Sequence, residues 1–154
     1  MLYWLTLLSD GGDFFNLFRY ITFRAGGAFL TALLFGFIFG KPLINMLRRT
    51  QGKGQPIRTD GPESHFAKAG TPTMGGLLIV GALLTSTLLW ARLDNAFIWM
   101  ILFVTMSFAA IGFADDYAKV SKQNVKGVSS RVRLLLGFLI AGIAGYWAAQ
   151  YHPE

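Results

Sequence analysis

The chain has 154 residues, 53% of them hydrophobic and 15% aromatic but only 14% charged, where an ordinary soluble domain carries roughly 25% charged residues. A soluble or disordered chain is thereby excluded, and an integral membrane protein is expected. Cysteine is absent and histidine occurs twice, which rules out disulfides, thiolate zinc sites, iron–sulfur clusters and cysteine nucleophiles and leaves carboxylates, hydroxyls and cations to carry any chemistry. The formal net charge is +6, but in a membrane chain basic residues mark the cytoplasmic side, so no nucleic-acid partner is expected.

In chain order, Met1 to Ser9 lacks a basic region and its short apolar run closes at Asp10, so it reads as mature chain and not as a signal peptide. From Asp13 to Arg24, Phe14, Phe15, Leu17, Phe18, Ile21 and Phe23 interleave with Asn16, Arg19 and Tyr20. That pattern suits an N-terminal interfacial helix or an extension of the first span. The first span has an uncharged stretch, Ala25 to Gly40, which at 1.5 Å per residue covers about 24 Å of a hydrocarbon core of about 30 Å. Snorkelling of Arg24 and Lys41 makes up the difference, and the helix continues past Pro42, a candidate kink, to Leu47. Met74 to Ala91 and Ala96 to Ala114 contain no formal charge and are separated only by Arg92 to Asn95, so they form a transmembrane hairpin. A last apolar stretch begins at Leu134 and reaches Tyr151. The fold expected is an all-α polytopic membrane protein with four transmembrane helices, about 25–47, 74–91, 96–114 and 134–151.

Lysine and arginine set the orientation. Lys41, Arg48, Arg49, Lys53, Arg58 and Lys68 fall in or beside one connection, and Lys119, Lys122, Lys126, Arg131 and Arg133 in another; the opposite side has Arg19, Arg24 and Arg92. The positive-inside rule places loops 48–73 and 115–133 in the cytoplasm and both termini outside. A soluble substrate would meet those two loops.

Both loops carry residues that helix packing alone does not need. The first packs turn residues, His65, Lys68 and three hydroxyls against the start of the second span. Thr71 or Thr73 can cap that helix, with Pro72 in its first turn. Its exposed N–H groups, with Gly75 and Gly76 allowing close approach and Lys68 adding a charge, suit an anion such as phosphate. The plainer reading is a capped helix start near lipid headgroups. In the second, Asp115 and Asp116 follow the charge-free third span, where a charge is expensive. If the helix ends there, both acids sit at the negative end of its dipole, and a bound cation would relieve them. Magnesium takes one or two carboxylates and completes its shell with water and phosphate oxygens, so Asp115 and Asp116 are its candidate ligands. The competing reading is a pair neutralised by Lys119, at i+4 and i+3. Successive helical residues point about 100° apart, so one aspartate would face the reaction centre and the other a basic neighbour. Lys119 and Arg131 belong to a basic stretch able to hold the phosphate of a lipid or nucleotide, although the positive-inside rule accounts for most of that charge. Gly36 with Gly40, and Thr85, Ser86, Thr87, Thr105 and Ser107, read as helix-packing residues.

Gly61-Pro-Glu-Ser-His-Phe-Ala-Lys-Ala-Gly-Thr-Pro-Thr-Met-Gly-Gly76 together with Gly112-Phe-Ala-Asp-Asp-Tyr117 resembles the bacterial phospho-N-acetylmuramoyl-pentapeptide transferases, the MraY family of polyprenyl-phosphate sugar-1-phosphate transferases. Tyr20-Ile-Thr-Phe-Arg24 and Lys126-Gly127 extend the likeness along the chain. The resemblance implies magnesium-dependent transfer of phospho-MurNAc-pentapeptide from UDP-MurNAc-pentapeptide to undecaprenyl phosphate, giving lipid I and UMP for peptidoglycan synthesis. It implies a multi-pass protein of the bacterial cytoplasmic membrane with a cytoplasmic active face, in contact with membrane lipid and able to form a homodimer. By position it gives Asp115 and Asp116 the catalytic and metal roles and places Lys68 and Thr73 in the nucleotide-sugar site; His65, Lys119 and Arg131 are further substrate-binding candidates. Family members have about ten spans, and four are read here. The expectation is therefore an N-terminal portion with part of an active site, inactive alone. The alternatives are a non-catalytic membrane fragment that packs with partner helices and a small four-helix transporter, the latter weakened because none of the four apolar cores holds a buried ionisable residue.

Overall fold

A computed structural model describes residues 1–10, 12–51, 73–122 and 127–151. His65 and Lys68, together with Thr71 and Pro72, lie outside the described residues. Two 3-10 helices, Leu2–Leu8 and Phe14–Arg19, precede four α-helices: α1 Ile21–Gln51, α2 Gly76–Trp90, α3 Ala96–Ser121 and α4 Ser130–Gln150. The described residues contain no strand. Helices α1, α3 and α4 are long and apolar enough to cross a membrane, and α2 is a shorter apolar helix of 15 residues. At 1.5 Å per residue α2 covers about 22 Å. The chain is a multi-pass helical membrane protein.

Several boundaries differ from the sequence reading: α1 runs past Leu47 to Gln51, and α2 is trimmed from 74–91 to Gly76–Trp90. The expected interfacial helix is a 3-10 helix that ends at Arg19, and α1 begins directly after it at Ile21. Helix α3 runs past Ala114 to Ser121, because helical hydrogen bonds do not stop where hydropathy does and an i,i+4 Asp115–Lys119 pair supports the extra turns. Asp115 and Asp116 therefore lie within the helix and not at its dipole end. Helix α4 likewise starts at Ser130, before the apolar run that opens at Leu134.

Successive helices pack antiparallel in a row. Trp90 and Thr31, then Phe35 and Gly81, then Gly40 and Leu78 meet along α1 and α2. Phe103 with Trp147, Phe108 with Gly137 and Asp115 with Arg133 join α3 to α4. Of the small-residue pair on α1, Gly40 faces Leu78 at 3.7 Å from its would-be Cβ, whereas Gly36 faces open space. Large apolar side chains such as Phe37 on α1 and Phe138 on α4 stay exposed, as lipid-facing residues should.

At one end the N-terminal segment and the α2–α3 turn come together. Trp90 stacks on Phe18 at 5.8 Å between ring centres, meets Phe23 at 6.0 Å, and donates from Nε1 to Thr31 Oγ1 at 2.9 Å. The turn is closed by an Arg92–Asp94 ion pair of 2.7 Å and by Asn95, which caps α3 by accepting the Phe97 N–H. The Arg92 guanidinium, donating to Asp94, holds that exposed carboxyl below the usual carboxylate range. The Gly27 backbone lies against the Trp90 ring, where a Cβ would fall 2.5 Å from Cζ2. Gly27→Ala is therefore expected to destabilise α1–α2 packing by about 1–3 kcal/mol, read as a lower unfolding midpoint in detergent; an unchanged midpoint would show that the ring shifts freely.

Candidate functional site at the opposite end of the bundle

Four segments that are remote in sequence converge where α1 ends, α2 begins, α3 passes its last apolar turn and α4 starts. Gln51, Thr73, Asp116 and Asp115 form its polar frame. Thr73 precedes α2 without capping it: the N-cap is Gly75, with no side-chain hydrogen bond. Met74 between them adopts φ +69°, a left-handed conformation that costs a non-glycine residue roughly 1–3 kcal/mol and persists only where its surroundings hold it. The Thr73 hydroxyl donates instead to Asp116 Oδ2 on α3, at 3.0 Å.

The two aspartates have opposite surroundings. Asp115 is 5% exposed. Its Oδ2 pairs with Lys119 Nζ at 2.6 Å and Arg133 Nη1 at 3.5 Å, and its Oδ1 accepts the Val128 N–H at 2.7 Å. That N–H is presented by Gly127, whose φ of +56° favours glycine and whose would-be Cβ would collide with Asp115 Oδ1 and lie 2.8 Å from Lys119 Cε. Asp116 is partly exposed and takes a neutral donor, Thr73, with no cation on it among the described residues. The divergence expected from 100° of helix rotation is what the structure has: one acid faces basic neighbours, the other a loop and open space.

Both carboxylates also line one end of a cleft of about 510 Å³ between α2 and α3, whose remaining wall is apolar and includes Met74, Leu77, Val80, Met106 and Phe113. Such a cavity, apolar with two acids at its mouth, suits a ligand with a greasy part and a charged end.

Asp115 has both oxygens engaged by three donors, two of them charged, and so offers a divalent cation little. Asp116 has an oxygen with no partner among the described residues and suits magnesium as a single carboxylate ligand, water and phosphate oxygens completing the shell. Among the described residues no cluster of three or more acidic or histidine side chains forms.

Of the other candidates, Lys119 reaches Asp115 as an i,i+4 partner, and Thr73 reaches Asp116. Arg131 is exposed on the first turn of α4 and touches neither acid; Arg133 occupies that place. No sequence signal marks Gln51 or the Val128 N–H for the site, and Gly127 and Arg133 enter it only as members of the basic Lys119–Arg133 stretch read as a candidate phosphate holder. The first has no local signal, since a glutamine ending a basic helix looks like surface. Arg133 could have been found by placing the start of α4 at Ser130, which puts it on the helix turn nearest the acids.

A multi-pass helical membrane protein with a divided acidic pair against a glycine-rich helix start is the class defined by this fold and site. Residues 68–80 match the phospho-N-acetylmuramoyl-pentapeptide-transferase signature 1. The chain is 80% identical to the phospho-N-acetylmuramoyl-pentapeptide-transferase of Ruegeria sp. (strain TM1040) over 99% of its own length and 42% of that protein's. It is 78% identical to that of Ruegeria pomeroyi over the same shares, and 70% identical to that of Dinoroseobacter shibae over 100% of this chain and 43% of the relative. Over these shares the chain is similar to the phospho-N-acetylmuramoyl-pentapeptide transferases, as the resemblance in its motifs implied, and it spans about two fifths of the length of these relatives.

Proposed function

We propose that within a complete protein this stretch builds the acidic side of a site that transfers phospho-MurNAc-pentapeptide from its UDP carrier to undecaprenyl phosphate. The products are lipid I and UMP, and the site faces the cytoplasm at the bacterial inner membrane. One observation carries the reading: Thr73, inside the signature, hydrogen-bonds Asp116, 43 residues away. Two motifs that are separate in sequence thus form one polar centre at the mouth of an apolar cleft.

Phosphoryl transfer asks a protein mainly for positioning and charge compensation. Asp115, bound by Lys119, Arg133 and the Val128 N–H, fixes α3 against the start of α4. Asp116 is thereby presented toward the cleft with its hydrogen bond from Thr73. The apolar wall of the cleft suits the isoprenoid part of an acceptor, and the basic residues around the site suit the phosphates of both substrates. Magnesium, held through Asp116, would supply charge neutralisation of the diphosphate.

The test is a chimera: the Ruegeria pomeroyi transferase with its corresponding stretch replaced by this chain. With UDP-MurNAc-pentapeptide, undecaprenyl phosphate and magnesium, the chimera is expected to release UMP at a rate close to the parent's, and residues 1–154 alone to release none. A folded, membrane-inserted chimera without turnover would overturn the assignment. UMP release by the 154 residues alone would overturn the view that they hold only part of the site.

A further inference from the structure

Gln51 is the last residue of α1 and its side chain is buried, with the residue 8% exposed. Its carboxamide meets the backbone of Thr73 twice, Nε2 donating to the Thr73 carbonyl at 3.1 Å and Oε1 accepting the Thr73 N–H at 2.8 Å. Thr73 lies outside every helix and before the left-handed Met74, so no regular structure satisfies its peptide groups. The glutamine side chain does so instead, pairing with that residue as a neighbouring strand would.

We infer that Gln51 is a positioning residue of the site: by clamping the Thr73 backbone it sets the Thr73 hydroxyl on Asp116. This rests on the transferase reading above and adds a residue from a third helix to it. The chain of contacts runs from α1 through the loop before α2 to α3, so the end of α1 governs the direction of a carboxylate it does not touch. Only a carboxamide of this length serves. Glutamate loses the donor, asparagine is one methylene too short to reach both groups, and alanine leaves a backbone donor and acceptor unpaired.

The experiment is a double-mutant cycle in the chimera, with Gln51→Ala, Thr73→Val and both together. Gln51→Ala is expected to lower kcat on the order of tenfold with little change in KM for the UDP substrate. Added to Thr73→Val it should cost almost nothing further, because the two residues act as one unit. Gln51→Glu should fall with alanine and not with the parent. Hydrogen exchange of the peptide covering Thr73 to Gly76, read by mass spectrometry in the same proteins, should quicken in Gln51→Ala while the middle of α3 keeps its protection. Additive losses in the cycle, or unchanged exchange at Thr73, would overturn the inference. An unsubstituted chimera that exchanges as expected but lacks turnover would sink the transferase reading and leave the clamp standing.

Discussion

Asp116→Asn in the chimera is expected to lower turnover by at least about 100-fold while leaving the unfolding midpoint close to the parent's. Asparagine keeps an oxygen to accept the Thr73 hydroxyl, which lies 3.0 Å from Asp116 Oδ2, so the local geometry survives. The substitution removes only the negative charge. In an arrangement where catalysis is charge compensation, loss of one preorganised charged group typically costs two to three powers of ten. The steady-state release of UMP, measured across magnesium concentrations, checks the result; near-normal turnover would show that this carboxylate is not essential.

Asp115→Ala is expected to act first on stability. The acid is 5% exposed, and its removal strands Lys119, whose side chain is 19% exposed, together with Arg133 and the Val128 N–H. Breaking a buried pair by deleting one partner costs roughly 3–5 kcal/mol. Arg133, with 42% of its side chain exposed, can rehydrate, so a loss of about 3 kcal/mol is expected, read as a lower midpoint of thermal unfolding. The contrast between neighbours is the diagnostic: turnover lost with the fold intact at position 116, fold weakened at position 115. Equal effects of both kinds at both positions would show that the two acids share one role.

Much of the architecture was legible in the residues. Charge-free stretches before and after Arg92 to Asn95 announced a hairpin, and the structure has α2 and α3 there. Spacing leaves Lys119 open to either acid, at i+4 from Asp115 and i+3 from Asp116, and the structure gives it to Asp115 at 2.6 Å. Helix ends were less legible, because a hydropathy reading stops at the first charge, whereas α3 carries its charges on for more than a turn to Ser121. Of the two readings of Thr73, helix cap (with Thr71 as the alternative) and site residue, the structure excludes the cap, since the preference of threonine for helix starts is local and the pull of Asp116 is not. Gln51 carries no sequence signal, and Arg133 shows only as one cation of a basic stretch, for the same reason: each acts on a residue that the sequence places far away.

By itself, the sequence determined the membrane class, the helices, the candidate acids and the family likeness, because composition, periodicity and local motifs are properties of neighbouring residues. Only the tertiary structure decided which of the two cleft-lining acids carries the cations and which takes a neutral donor, and what holds Thr73 in place. Those outcomes depend on how α1, α3 and α4 meet at one end of the bundle, where a 100° turn of one helix exchanges a salt bridge for an open carboxylate.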